Sequence, residues 1–152
     1  MLKLRKILIT TDLSQHSLAA FDIAASLTDQ YGAELTLLYV ADESPPPMVG
    51  LDTPEGKEFQ KRTEEGAQRK LDDFAKANIP STVSSVVRVG DPSKLIIGFA
   101  AEHKIDLIVM ATHGRTGLKH ILLGSIAEQV VRTSHVPVLT IKPEGISAPG
   151  KQ

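Results

Sequence analysis

Short apolar runs alternate with longer amphipathic stretches along the chain. Most of these runs are continuously apolar, as in strands whose sheet is covered on both faces. They predict five strands, over residues 6–11, 34–40, 82–89, 106–110 and 136–141. The segments between them repeat apolar residues every three or four positions, which is the spacing of one helix face.

Two of the four predicted helices carry start signals. Asp91 is followed by a proline, and this pair predicts an N-cap and a first helical residue at the third helix. Ser125 is followed three residues later by Glu128, which predicts a capping box at the start of the fourth helix. Its inward face would then carry Ile126 and Val130.

The regular alternation of strands and helices predicts one α/β domain over residues 1–142. Its fold class is three-layer α/β/α, with a parallel sheet and right-handed crossovers. Such sheets bind ligands beyond the carboxyl ends of their strands, where the strand order reverses. The loops of interest therefore follow Thr10, Val40, Val89 and Met110.

Two segments are rich in proline and glycine. Residues 42–54 form a long loop at the ligand-facing end of the sheet, and either a lid or a plain surface excursion is consistent with that composition. Residues 143–152 are polar, and we expect a disordered tail there.

Composition narrows the range of partners. The 152 residues include 17 Lys and Arg against 18 Asp and Glu, for a net charge of -1, which argues against nucleic acid or an anionic membrane as partner. The absence of cysteine excludes disulfides, thiol nucleophiles and cysteine metal sites. No apolar stretch reaches membrane-spanning length, and the first one is too short for a signal peptide. We therefore expect a cytoplasmic protein without membrane insertion.

The stretch from Met110 to Ser125 is the richest in candidate chemistry. It leaves a strand, passes Gly114 and Gly117, and enters a helix at Gly124. Glycines let the backbone approach a ligand, and a helix start offers unpaired N–H groups to an anion such as phosphate. The spacing alone is equally typical of a loop that turns twice at glycines.

Nine residues separate Gly114 from Gly124-Ser125, and Ala111 lies three positions before Gly114. This stretch resembles the nucleotide signature of the universal stress protein family, which is a glycine, two residues, a glycine, nine residues, then Gly-Ser or Gly-Thr. Ala111 departs from it at the first glycine. The resemblance covers about residues 4–142. It also rests on the segments Lys6-Ile7-Leu8, Thr11-Asp12-Leu13-Ser14, Leu38-Tyr39-Val40, Gly90-Asp91-Pro92 and Val136-Pro137-Val138-Leu139.

The resemblance implies a sheet of order 3-2-1-4-5, the adenine nucleotide α-hydrolase-like fold. It also implies a homodimer that binds ATP, with Mg²⁺ or Mn²⁺ as a possible companion. Asp12 would face the ribose or phosphates, the Val40 backbone the adenine, and Met110 the ribose. The nucleotide-binding residues it implies are Thr10, Thr11, Asp12, Val40, Met110, Ala111, His113, Gly114, Arg115, Gly117, Gly124, Ser125 and Ile126. It implies no catalytic residue and no metal-ligating residue.

Several of these positions have an alternative interpretation. Asp12 could be a local helix cap, with Ser14 as the other candidate. His113 could contact phosphate or lie exposed in its loop, and Arg115 could face the phosphates or the solvent. If the site requires a left-handed backbone at Ala111, the cost of about 1–2 kcal/mol would weaken binding roughly tenfold.

The last predicted strand has two interpretations. Under the family topology it lies at a sheet edge, where a proline is tolerated. It forms either a homodimer seam or a monomer edge blunted by Pro137. The seam residues are Val136, Pro137, Val138, Leu139, Thr140 and Ile141.

Three functions remain open at this point. The favoured one is a dimeric, nucleotide-responsive stress module that binds ATP. A non-nucleotide interaction dimer is the alternative that Ala111 favours. A slow ATPase is the third, although the chain has no GxxxxGK[ST] phosphate loop, no GxGxxG and no GxSxG nucleophile elbow.

Overall fold

The five predicted strands are all present in the computed structural model, which describes residues 1–80, 83–113 and 123–144. They are β1 (Lys6–Thr11), β2 (Glu34–Ala41), β3 (Ser84–Val89), β4 (Leu107–Ala111) and β5 (Val138–Ile141). All neighbours are parallel, and the order β3-β2-β1-β4-β5 confirms the expected topology.

Helices cover both faces of this sheet. They are α1 (Ala19–Tyr31), α2 (Pro54–Asn78), α3 (Pro92–Glu102) and α4 (Ser125–Thr133), with a 3-10 helix over Gln15–Leu18 ahead of α1. Side chains of α1 and α2 pack into one core cluster, and those of α3 and α4 pack into a second. The three-layer α/β/α class is therefore confirmed.

The middle of β1 explains why its apolar run is continuous. Ile7 and Ile9 point into the cluster under α1 and α2, whereas Leu8 points into the cluster under α3 and α4. All three are at most 1% exposed. Burial of one such side chain stabilises the fold by about 1.5–3 kcal/mol.

The start of α3 follows the prediction. Asp91 is the N-cap, and its Oδ1 accepts a hydrogen bond from the Lys94 N–H at 3.0 Å. This hydrogen bond lowers the pKa of Asp91 below its ordinary value, and a second hydrogen bond, from the Ser93 hydroxyl, lowers it further. Pro92 is the first helical residue.

The predicted capping box at Ser125 is wrong. The N-cap is Gly124, no side chain caps this end, and Ser125 is already the first helical residue. In this register Ala127 and Val130 face the core, whereas Ile126 is 39% exposed. The apolar face thus follows Ala127, about 100° around the helix from Ile126.

The bounds of β1 match the prediction, and each of the other strands differs from it by one or two residues at one or both ends. β5 begins at Val138, and the Pro137 carbonyl accepts a hydrogen bond from the Ile108 N–H at 3.0 Å.

Residues 42–53 form a connection without helix or strand, as predicted. A disordered tail was expected over residues 143–152. Pro143 is buried, and residues 145–152 lie outside the described residues. Within the described ranges, no helix combines the length and the apolar character that a membrane span requires.

Candidate functional site

A cleft of about 370 Å³ opens at the carboxyl ends of β1, β2 and β4. It lies beside the reversal of strand order between β1 and β4, where ligand sites of such sheets occur. Ten predicted site residues line it: Thr10, Thr11, Asp12, Val40, Met110, Ala111, His113, Gly124, Ser125 and Ile126. The predictions for Gly114, Arg115 and Gly117 lie outside the described residues.

Ten further residues line the cleft without having been predicted. They are Ser17, Leu38, Tyr39, Asp42, Glu43, Lys70, Pro92, Ile96, Thr112 and Ala127. Most are sequence neighbours of predicted positions. Pro92 and Ile96 lie on α3, just after the loop that follows Val89, which the strand-end rule had pointed to. Lys70 is the exception, because it comes from the middle of α2, far from any strand end. No sequence signal marks it.

Gly124 brings the start of α4 to the cleft. Its N–H donates to the Thr112 carbonyl at 2.6 Å, and a Cβ at this position would lie 3.2 Å from the same oxygen. Its φ of -64° is accessible to any residue, so close approach and not a left-handed backbone favours glycine here. Ser125 and Ile126 then place the first turn of α4, with its unpaired N–H groups, at the cleft wall.

Ala111 carries no left-handed backbone. It is the last residue of β4 and pairs with Ile141 of β5. It is not among the described non-glycine residues with positive φ. A left-handed backbone at Ala111 would have weakened nucleotide binding roughly tenfold. Because the backbone here is extended, that loss of affinity does not arise.

His113 lies inside the protein. Its side chain is buried, and Nδ1 lies 2.8 Å from the Thr112 hydroxyl. The interpretation as an exposed loop histidine is therefore wrong. The signal that could have corrected it is its position two residues past the end of the buried strand β4.

Asp12 lies in a turn built by its own neighbours. Its Oδ1 accepts from the Ser14 N–H at 3.0 Å and also from the Ser14 hydroxyl. Ser14 in turn is the N-cap of the 3-10 helix, where its side chain accepts from the Ser17 N–H. Ser14 is therefore the cap of the two candidates, and Asp12 supports it from the cleft side.

The described lining of the cleft is acidic. It contains the carboxylates of Asp12, Asp42 and Glu43, and one ammonium group, that of Lys70. Within the described residues, no group of three His, Asp or Glu side chains is arranged to hold a metal ion by itself.

The fold and the cleft together define a doubly wound α/β protein with a cleft at its switch point. Residues 3–142 match the model of the universal stress protein family. The chain belongs to this family.

Relatives from one archaeon illustrate the similarity. The chain is 39% identical to universal stress protein MJ0531 of Methanocaldococcus jannaschii over 143 residues, which are 91% of this chain and 82% of that protein. It is 30% identical to universal stress protein MJ0577 of the same organism, over 91% of this chain and 94% of the relative.

Solved structures agree with the fold. The structure of MJ0577 superposes with a TM-score of 0.67, at 31% identity over 93% of this chain and 97% of that one. A universal stress protein described in complex with cAMP gives a TM-score of 0.64, at 26% identity over 91% of this chain and 97% of that one.

Proposed function

We propose that this protein binds an adenine nucleotide, with ATP as the principal ligand, in the cleft at the switch point. It would act as a dimeric, nucleotide-responsive module of the stress response. The observation that carries the proposal is the convergence of the α4 start, the Asp12 turn and the end of β2 on one cleft. Its volume lies in the range of small-molecule sites, about 300–1,000 Å³.

The two ends of the cleft differ in chemistry, and this supports an orientation for the ligand. Gly124, Ser125 and Ile126 bring a helix N-terminus, where N–H groups and the helix dipole favour phosphate. The other side of the cleft, across β1 from β4, has the half-buried Val40, one residue before the end of β2. A purine base fits this side, with the Val40 backbone available to its polar edge.

A divalent cation improves the electrostatics of this arrangement. A bare triphosphate would be repelled by Asp12, Asp42 and Glu43, whose carboxylates line the same cleft. Mg²⁺ or Mn²⁺ bound to the phosphates reduces that repulsion and gives Asp12 a cation to face. We therefore expect ATP to bind more tightly with the metal than with a chelator.

Isothermal titration tests the proposal with a matched pair of charge variants on α4. Ile126→Glu places a carboxylate in the cleft, in the first helical turn. It should weaken ATP binding by about tenfold or more, because the new charge faces the phosphates. The control is Val131→Glu, at an exposed residue of the same helix that does not line the cleft. This variant should bind as the parent does.

The parent should release heat with MgATP and less heat with MgGTP. Absence of binding at millimolar MgATP would refute the proposed function. Equal losses in both variants would place the phosphates elsewhere.

We propose homodimerisation through β5, which lies at the sheet edge beside β4 in the described part of the chain. All four of its residues are half-buried in the isolated chain. In sedimentation velocity, Thr140→Lys on β5 should shift the dimer toward monomer. Ser84→Lys, on β3 at the opposite edge, should not. A parent that sediments as a monomer would exclude the seam.

A further inference from the structure

A chain of hydroxyl groups runs beneath the Asp12 turn. Thr11 and Ser17 are both buried, and their oxygens Oγ1 and Oγ lie 2.7 Å apart. The Ser17 hydroxyl donates to the Ser14 carbonyl at 2.7 Å. Its proton is therefore used, and the Thr11 hydroxyl must be the donor to Ser17. The direction of the chain is thus determined.

The same chain holds an unusual backbone conformation. Leu13 has a φ of 66°, in the left-handed region that bulky residues rarely adopt. Its N–H donates to Thr11 Oγ1 at 2.9 Å, while its side chain packs against the core under α1 and α2. A hydrogen bond therefore fixes the backbone of Leu13, and apolar packing fixes its side chain.

Asp12 lies between the two anchored residues. Thr11 belongs to β1 and lines the cleft, and Leu13 is fixed by the Thr11 hydroxyl. The direction in which the Asp12 side chain leaves the backbone follows from these two neighbours. Residues held in sparsely populated conformations cluster at ligand sites, where the surrounding structure keeps them in place.

We propose that Thr11 and Ser17 are positioning residues of the cleft. Their hydroxyl chain keeps Leu13 left-handed and so holds the Asp12 carboxylate at the cleft before the ligand arrives. This inference rests on the proposed nucleotide site. It adds that part of the affinity comes from preorganisation of Asp12 by hydroxyls beneath it.

The test combines Thr11→Val, which keeps the side-chain shape and removes the hydroxyl, with Thr11→Ser, which restores it. MgATP affinity should fall about tenfold in Thr11→Val and return to within about twofold of the parent in Thr11→Ser. The control is Thr28→Val. It removes a partly buried threonine hydroxyl from α1, outside the cleft, and should leave affinity unchanged.

A double-mutant cycle separates positioning from general damage. In an Asp12→Ala background no carboxylate remains to be placed, so Thr11→Val should change affinity by less than about twofold. Amide hydrogen exchange gives a readout that needs no ligand. The Leu13 amide should be protected in the parent and exchange faster in Thr11→Val, while core amides such as that of Ile9 remain protected.

The outcomes distinguish the two proposals. If the parent binds MgATP and Thr11→Val binds it equally well, the positioning role is refuted and the nucleotide site stands. If Thr11→Val weakens binding to the same extent in the Asp12→Ala background, Thr11 acts by another route and the inference fails. A parent that binds no nucleotide overturns both.

Discussion

Two connections border the cleft and differ in how they are stabilised. They are the turn over residues 11–17 and the loop over residues 42–53. The turn is short, and its buried hydroxyls bond to one another and to its own backbone. The loop is long and leaves Met48 96% and Leu51 59% exposed. Hydrogen bonds of its own side chains therefore stabilise the turn. The loop depends instead on contacts near its end, where it meets α2.

The loop is anchored at its far end, on the first turn of α2. The Gly50 carbonyl accepts from the Thr53 N–H at 3.1 Å and from the Thr53 hydroxyl at 2.6 Å. Thr53 is also the N-cap of α2, where its Oγ1 accepts from the Gly56 N–H at 3.1 Å. A Cβ on Gly56 would lie 2.1 Å from the Gly50 oxygen. Only a glycine lets the loop lie this close to the helix.

The largest effect should come from breaking that anchor. Gly56→Ala forces the Gly50 backbone away from α2 and should lower the free energy of unfolding by about 1–3 kcal/mol, the usual cost of overpacking. Urea denaturation measures it. A neutral or stabilising alanine at this position would show that the contact between loop and helix is absent in solution.

The corresponding break in the turn is Ser14→Ala. It removes the N-cap of the 3-10 helix and one partner of Asp12, so the free energy of unfolding should fall by about 1 kcal/mol. Thermal unfolding of Ser14→Ala beside Ser14→Thr, which keeps a capping oxygen, isolates the contribution of the cap. Equal losses in both variants would argue against it.

Gly66 sharpens the comparison from within α2. A Cβ there meets nothing closer than the Arg69 guanidinium at 3.9 Å, so the alanine fits without rearrangement. Gly66→Ala should raise the free energy of unfolding by about 0.5–1 kcal/mol through helix propensity. It thus has the opposite sign to Gly56→Ala on the same helix. A destabilised Gly66→Ala would contradict this account of the two glycines.

The smallest effect concerns a third connection, the cap of α3 beside the cleft. The pKa of Asp91 is lowered chiefly by the Lys94 N–H, so its stabilising contribution is present above the ordinary value of 3.8 and is lost as pH falls through the lower folded value. The melting temperature should therefore decline less below pH 4 in Asp91→Asn than in the parent. Identical pH profiles would remove Asp91 from the acid transition.

Patterns that one segment carries alone were predicted well. The bounds of β1 match the prediction to the residue, and Asp91 caps α3 as its sequence indicates. The capping box at Ser125 failed because Gly124 bonds to the Thr112 carbonyl, twelve residues away, and this contact sets where α4 begins.

The cleft residues likewise divide into those that sequence patterns predicted and those that depend on tertiary packing. The resemblance to the family identified ten of its residues, and the strand-end rule pointed independently to the loops after Thr10, Val40 and Met110. Lys70 was missed because its place in the cleft depends on how α2 packs across the sheet. The burial of His113 was missed because how far the chain stays buried past the end of β4 depends on tertiary packing.

Apolar periodicity and capping signals act over a few neighbouring residues, so the sequence alone predicted the strands and the three-layer class. Its resemblance to the family indicated half of the residues that line the cleft. The tertiary structure decided three further points: the extended conformation of Ala111, the register of α4 and the left-handed Leu13 beside Asp12. Each of these depends on a hydrogen bond or a packing contact with residues beyond the local sequence pattern. Periodicity along the chain does not encode such contacts.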